Sequence, residues 1–374
     1  RLYEAPLGDP RRAATHYQAA LKKAPDHLPI LRGTRRVLLA QRNFPKALEL
    51  YDAEARITSD PVQKATLLYE KGRLLEREMQ KLDDARRAYR NALELDRGNP
   101  AILRALIERL SEERRWGEVE QLLEQTANAV ADDPSHRAAL VAQRARLVER
   151  TSSKTRAADL YETALKLDPR APGALAALER LHYEHERWRD LIRVLELGGE
   201  LTEDPAVRTM ALYRVARLHS DRLGNAREAM NALERAAAID PENPLVLTEM
   251  ARVYERESRY DSLVEALQGL VLTLGEPREK LGVLHRIGAL EQHRLGREEA
   301  AVHWYEAALK IDPTHVPTLQ ALAPIYRRAG AWERALRMHL DEAQRASEPE
   351  RRAAAHVRVA ELLEDQGRRD EAIE

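Results

Sequence analysis

The 374-residue chain contains no cysteine. Disulfides, zinc fingers and thiol catalysis are thereby excluded, and the chain suits a reducing or an oxidising compartment, cytoplasm or periplasm, equally well. It also lacks an excess of charge of one sign: 61 basic side chains face 62 acidic ones, a formal net charge of −1. Without a strong field to hold phosphates or an anionic bilayer, nucleic acid is not an expected partner. The longest uncharged apolar run lies within Ala266 to Gly275. That is well short of the roughly 18 residues of a membrane span, so no membrane insertion is expected. Catalytic signatures are missing too: no GxxxxGK phosphate loop, HExxH zinc pair, GxSxG elbow or calcium loop occurs. His182 and His185, in HYEHE, stand three residues apart, but two ligands do not complete a tetrahedral metal site. His182 shares its place in the repeat described below with Leu110, Tyr254 and Tyr326, which marks it as a part-buried substitute for an apolar residue. The expectation is a chain that is not an enzyme, with no catalytic residues, no metal and no cofactor.

What is abundant is Leu, Ala, Glu and Arg. With 44% apolar and 33% charged residues, this is the composition of long amphipathic helices, and the intermixed Arg and Glu read as ion pairs along helix faces. The stretch AAVHWYEAALKIDP (Ala300 to Pro313) recurs as AADLYETALKLDP (Ala157 to Pro169), EAMNALERAAAIDP (Glu228 to Pro241) and a degraded ARRAYRNALELDR (Ala85 to Arg97). Asp96, Asp168, Asp240 and Asp312 follow at 72-residue steps with no insertion or deletion. A fixed period of this kind specifies a repeat array.

Stacking the sequence on that period gives columns. Ala13, Ala85, Ala157, Ala229 and Ala301 form one; Ala20, Ala92, Ala164, Ala236 and Ala308 form another, with Tyr17, Tyr89, Tyr161, Leu233 and Tyr305 between them. Spacings of four and three place all three columns on one helical face, where small residues flanking a ring let a neighbouring helix approach closely. These helices stop at Pro25, Pro169, Pro241 and Pro313. The helices before them start at Pro61, Pro205, Pro277 and Pro349, with Pro134 displaced by one, and Asp60 and Asp204 as N-caps. Inside them run Leu68, Leu140, Leu212 and Leu284, then the small residues Gly72, Ala216, Gly288 and Ala360, with Arg144 the exception. Gly8, Gly224 and Gly296 share a turn column suited to a left-handed C-cap. A second hairpin in each period is headed by Phe44, Trp116, Trp188, Tyr260 or Trp332, read as core aromatics.

In these features the chain resembles the tetratricopeptide repeats (TPRs). Gly288, Ala301, Tyr305, Ala308 and Pro313 match the family pattern in order, as do Ala157, Tyr161, Ala164 and Pro169. The alternate hairpins depart from it, with Glu54, Thr126, Gly198, Leu270 and Glu342 in the second Ala column. The resemblance implies an all-α fold, an α-solenoid in which antiparallel hairpins wind into a right-handed superhelix. Residues 1–374 are expected to form a single continuous array of about ten hairpins in five 72-residue units. With no initiator Met, and with Arg1 and Glu374 aligning to positions inside helices, the array is expected to be cut from a longer protein.

The resemblance further implies a protein–protein interaction scaffold whose first helices line a concave groove for a peptide or a partner helix. One exposed-looking column of those helices reads Tyr69, Val141, Tyr213, His285, Val357, and one turn on comes Arg73, Ala145, Arg217, Ala289, Glu361. Identities that change between copies mark positions free of packing constraint, and Tyr and Arg are favoured at binding hot spots. Tyr69, Arg73, Tyr213, Arg217 and His285 are the candidate partner-binding residues, expected to share one groove. The alternatives are a self-associating structural component and a regulatory array of an enzyme whose catalytic domain lies elsewhere.

Overall fold

The computed structural model describes residues 10–345, 348–368 and 372. Among them there are twenty α-helices and no strand, and no helix is long and apolar enough to cross a membrane. Gly8, of the turn column, lies outside the described residues. The helices gather into two compact units, one up to Leu181 and one from His182 onward. The first unit holds α1 (Pro10–Lys23), α2 (Leu28–Ala40), α3 (Phe44–Ile57), α4 (Pro61–Arg77) and α5 (Leu82–Leu95). It continues with α6 (Pro100–Glu112), α7 (Trp116–Ala129), α8 (Pro134–Thr151), α9 (Lys154–Leu167) and most of α10 (Ala174–Glu184). The second unit holds α11 (Trp188–Leu201), α12 (Pro205–Asp221), α13 (Ala226–Ile239), α14 (Pro244–Arg256) and α15 (Tyr260–Thr273). It ends with α16 (Pro277–His293), α17 (Glu298–Ile311), α18 (Val316–Arg328), α19 (Trp332–Arg345) and α20 (Pro349–Asp365). Turns of two to four residues join the hairpin partners, which makes them antiparallel.

Local chemistry sets the helix starts. Asp60 Oδ1 accepts the Val62 N–H at 3.0 Å and Asp204 Oδ1 the Ala206 N–H at 2.9 Å, each ahead of a proline at the first helical position. Asn99 and Asn243 cap α6 and α14 in the same way, each accepting two backbone N–H groups. The landmark aspartates bridge into these caps: Asp96 accepts from the Asn99 amide and Asp240 from the Asn243 amide, both at 2.9 Å. Their 72-residue recurrence therefore reflects a turn that must be closed. A second recurrence runs through Arg42, Arg114, Glu186, Ser258 and Gly330, all with positive φ (55–57° for the first four, 70° for Gly330), in the turns that head α3, α7, α11, α15 and α19. Only the last is glycine, the residue that adopts this conformation without steric cost, so the column carries no sequence signal.

The core is built on the Ala–Tyr–Ala face. Ala85, Ala92, Ala157, Ala164, Ala229, Ala236, Ala301 and Ala308 are fully buried, and Tyr89, Tyr161, Leu233 and Tyr305 lie sealed between them. A Cβ added at Gly72 would fall 2.5 Å from the Tyr89 ring, and one at Gly288 2.6 Å from the Tyr305 ring. The ring occupies the space a side chain would need, so the small residue is a packing requirement. Burying a ring of this size contributes roughly 1.5–3 kcal/mol, taking phenylalanine as the guide.

The fixed 72-residue register breaks in one helix. Four residues separate α7 from α8 where three separate α3 from α4, α8 has 18 residues against 17, and only two residues join α8 to α9 where four join α4 to α5. One added linker residue, one added helical residue and two fewer turn residues cancel, leaving the aspartates in phase. Burial follows the shifted register: Ala138, Leu140, Ala145 and Val148 are the counterparts of Ala65, Leu67, Gly72 and Leu75. Arg144 is thus no exception to the small column, because Ala145, 0% exposed, fills that place. The four-residue turns carry a left-handed residue at Gln80, Gly224 or Gly296, and the two-residue turn after α8 has none.

The aromatic column lies at the edge of the core, with Phe44, Trp188, Tyr260 and Trp332 packed against it. Phe44, Trp188, Tyr260 and Trp332 are half-buried and Trp116 is 39% exposed, because each stands at the first position of its helix, at a hairpin head. His182 is 1% exposed, as a substitute for an apolar residue should be, whereas His185 is exposed. Replacing Ala164 by Leu is expected to cost about 1–3 kcal/mol through overpacking, seen as a lower urea midpoint, against about half a kcal/mol for a surface alanine.

Candidate functional site

The first helices of the hairpins carry the candidate residues. On α4, Tyr69 is half-buried, its ring 5.7 Å from that of Tyr89, and the exposed Arg73 guanidinium lies 5.8 Å over the Tyr69 ring. The pair forms one cationic, aromatic surface whose base is fixed by the core. On α12, Tyr213 is half-buried and Arg217 exposed, with Arg217 donating from Nη2 to Asp221 Oδ2 at 3.1 Å. Asp221 also accepts from Arg252 at 2.7 Å. The hydrogen bonds to Asp221 and then to Tyr213 raise the Arg217 pKa. Burial pushes the Asp221 carboxyl up, and the bonds from Arg252 and Arg217 more than offset it, holding it below the usual carboxylate range.

His285, on α16, is the third candidate position. Its Nδ1 lies 3.0 Å from the Thr318 hydroxyl, which also meets His315 Nδ1 at 2.7 Å, and its ring sits 5.4 Å from both His315 and Tyr305. Each of the five candidates is thus found on a first helix, Tyr69 and Arg73 in the first unit and Tyr213, Arg217 and His285 in the second. The assignment on α8 is corrected by its shifted register: the counterparts of Tyr69 and Arg73 are Ala142, which is buried, and Arg146, which is exposed, in place of Val141 and Ala145. Arginine therefore holds the second position on α4, α8 and α12.

Sequence reasoning missed an acceptor column behind this face. The buried Tyr89 hydroxyl donates to Glu76 at 2.7 Å, Tyr161 to Glu149 at 3.1 Å and Tyr305 to Gln292 at 2.9 Å. Where Leu233 replaces the tyrosine, the acceptor position is Ser220, whose hydroxyl instead receives Arg256 at 3.0 Å. Acid or amide facing Tyr89, Tyr161 and Tyr305, and Ser at the place facing Leu233, is a covariation inside one chain, visible in the sequence once the register of α8 is corrected. Burial, followed by Glu149, pushes the Tyr161 phenol up to about 12, and burial alone takes Tyr305 to about 12.

The alternate hairpins hold charge in their core. Glu54, 0% exposed in the second Ala column, accepts from Arg32 at 2.7 Å and Arg35 at 3.1 Å, and the Arg35 guanidinium lies 4.1 Å over the Tyr51 ring. Glu342, equally buried, accepts from Gln320 at 2.5 Å and Arg358 at 2.7 Å. Removing one partner of such a network leaves a buried charge uncompensated, at a cost of about 3–5 kcal/mol.

Burial, and then the neighbouring His315, lower the His285 pKa below the ordinary imidazole value of about 6.5. The unfolded chain binds the proton more readily, so stability present above that value is lost as pH falls through it toward the folded pKa. The urea midpoint is expected to fall between about pH 7 and pH 5, and to fall less steeply in His285→Gln.

Family models for tetratricopeptide repeats match residues 5–61, 76–144, 211–243, 281–315 and 318–353, together more than half of the chain. No curated protein matches in sequence. Similar solved structures include yeast Tom70, at 13% identity over 94% of this chain and 92% of that one, with a TM-score of 0.32. YrrB, a TPR protein with an unusual peptide-binding site, is 17% identical over 49% of this chain and 91% of its own (TM-score 0.31). MamA is 20% identical over 44% and 92% (TM-score 0.31). With repeat models matching more than half of it and every described hairpin helical, the chain belongs to the tetratricopeptide repeat family.

Proposed function

We propose that this protein-interaction scaffold binds extended or helical segments of partner proteins along the first-helix face of each unit, selecting segments that carry acidic and apolar groups. The observation that carries the reading is an exposed arginine at the same place in its first helix in each unit, Arg73 and Arg146 in the first and Arg217 in the second, with Tyr69 one turn before Arg73 and Tyr213 one turn before Arg217, both half-exposed although their surroundings are packed. Tyrosine offers apolar area with a hydroxyl at low entropy cost, and arginine offers a planar fork for carboxylates. The balanced net charge supports recognition by local geometry, with only moderate weakening by salt.

The test places a photo-crosslinking residue at Tyr69 and, separately, at Tyr213, with Arg90 on the second helix α5 as the control position. Protein partners are expected to crosslink from the first two and not from Arg90. The variant with Tyr69, Arg73, Tyr213 and Arg217 all changed to alanine should keep its circular dichroism and lose binding, each hot-spot position contributing on the order of 1–2 kcal/mol. Full affinity in that variant moves the binding surface to the second helices or the turns.

A further inference from the structure

We propose that the cleft beside Trp116 is a pocket for an apolar or aromatic side chain of a partner segment, with carboxylates next to that side chain held by Arg146 and Arg150. The proposal rests on the reading that the chain binds protein segments, and it adds a place outside the Tyr69 and Tyr213 positions. Its origin is the shifted register of α8. At two other hairpin heads an arginine immediately after a first helix folds back over the aromatic: Arg222 lies 5.0 Å over Trp188, and Arg294 5.4 Å over Tyr260. In the register of α8 the position of Arg222 is taken by Thr151, and among the described residues no guanidinium lies over Trp116.

The result is an uncapped ring. Trp116 is 39% exposed and stands at a cavity of about 420 Å³ formed by α6, α7 and α8, with Ile107, Leu123 and Leu147 among its walls. That volume lies within the range of sites that enclose small ligands or side chains. Arg146 and Arg150 reach the same cavity from α8 and are both exposed. The arginines around them are neutralised: Arg144 by Glu120 and Glu124, Arg109 by Glu76, Arg115 by Glu113. Arg146 faces the Tyr161 hydroxyl, and neither it nor Arg150 has a carboxylate partner among the described residues. Two uncompensated forks beside an exposed indole and apolar walls are complementary to an acidic segment with a large apolar residue in its middle.

The test follows the indole N–H resonances of the four tryptophans in the 15N-labelled chain, that of Trp116 being assigned with Trp116→Phe. The probe is a blocked peptide of glutamates flanking one phenylalanine. The controls replace its phenylalanine by alanine or its glutamates by lysine. The first peptide is expected to shift the Trp116 resonance and the controls to leave it in place. Arg150→Gln should weaken binding roughly tenfold, as the loss of one charge-assisted contact predicts. Thr151→Arg, which restores the missing cap, should remove the Trp116 response without changing the circular dichroism. A Trp116 signal indifferent to the acidic peptide, moved equally by the lysine peptide, or still moved in Thr151→Arg overturns the proposal. If Tyr69→Ala with Arg73→Ala abolishes binding while Arg150→Gln and Thr151→Arg keep it, the first-helix face stands and the pocket falls. The opposite pattern retains the pocket and overturns the face.

Discussion

The interaction on which the structure depends is the seating of one large ring against one small residue. Tyr89 fills the space above Gly72, and Tyr305 that above Gly288, and in each case even a methyl group would collide with the ring. This contact sets how closely the two helices of a hairpin approach, and the flanking alanines at 0% exposure let neighbouring helices close around it. A buried phenol also needs an acceptor, which Glu76, Glu149 and Gln292 provide near the end of each first helix. Packing and hydrogen bonding thus fix the register of the first helix against the second from two points, and with it the direction in which the exposed side chains one turn away must project.

That constraint explains why a small register change matters. In α8 one helical residue is gained and two turn residues are lost, yet Ala145 is still fully buried and Glu149 still accepts from Tyr161. The core keeps its geometry and the change is expressed at the helix end. There the residue after the helix no longer supplies an arginine to cover Trp116, and the turn loses its left-handed position.

The alternate hairpins solve the same packing problem with different chemistry. Where the repeat pattern calls for a second alanine, Glu54 and Glu342 sit at full burial with arginines drawn in around them. Such networks stabilise less than a well-packed apolar residue would, but they are specific about partner and geometry. They also leave the chain near neutrality while placing its charges unevenly, so that some arginines are consumed in the core and others, such as Arg73 and Arg146, remain on the surface.

The sequence by itself determined the helices, their hairpin pairing and the buried Ala–Tyr–Ala face, because small residues, prolines and aspartate caps act through local sterics and recur with the repeat. It also placed Tyr69, Arg73, Tyr213, Arg217 and His285 on first helices, since a four-residue spacing within a helix suffices for that. Tertiary structure decided what spacing cannot express. It moved the α8 counterparts to Ala142 and Arg146, because a compensated insertion and deletion leaves the aspartate period intact while burial follows the ring. It placed the aromatic column at the edge of the core, because each ring stands at the first position of its helix, at a hairpin head, where neighbours enclose only part of it. It buried Glu54 and Glu342, since a carboxylate enters a core only when partners distant in sequence converge on it, and that convergence exists only in the folded chain.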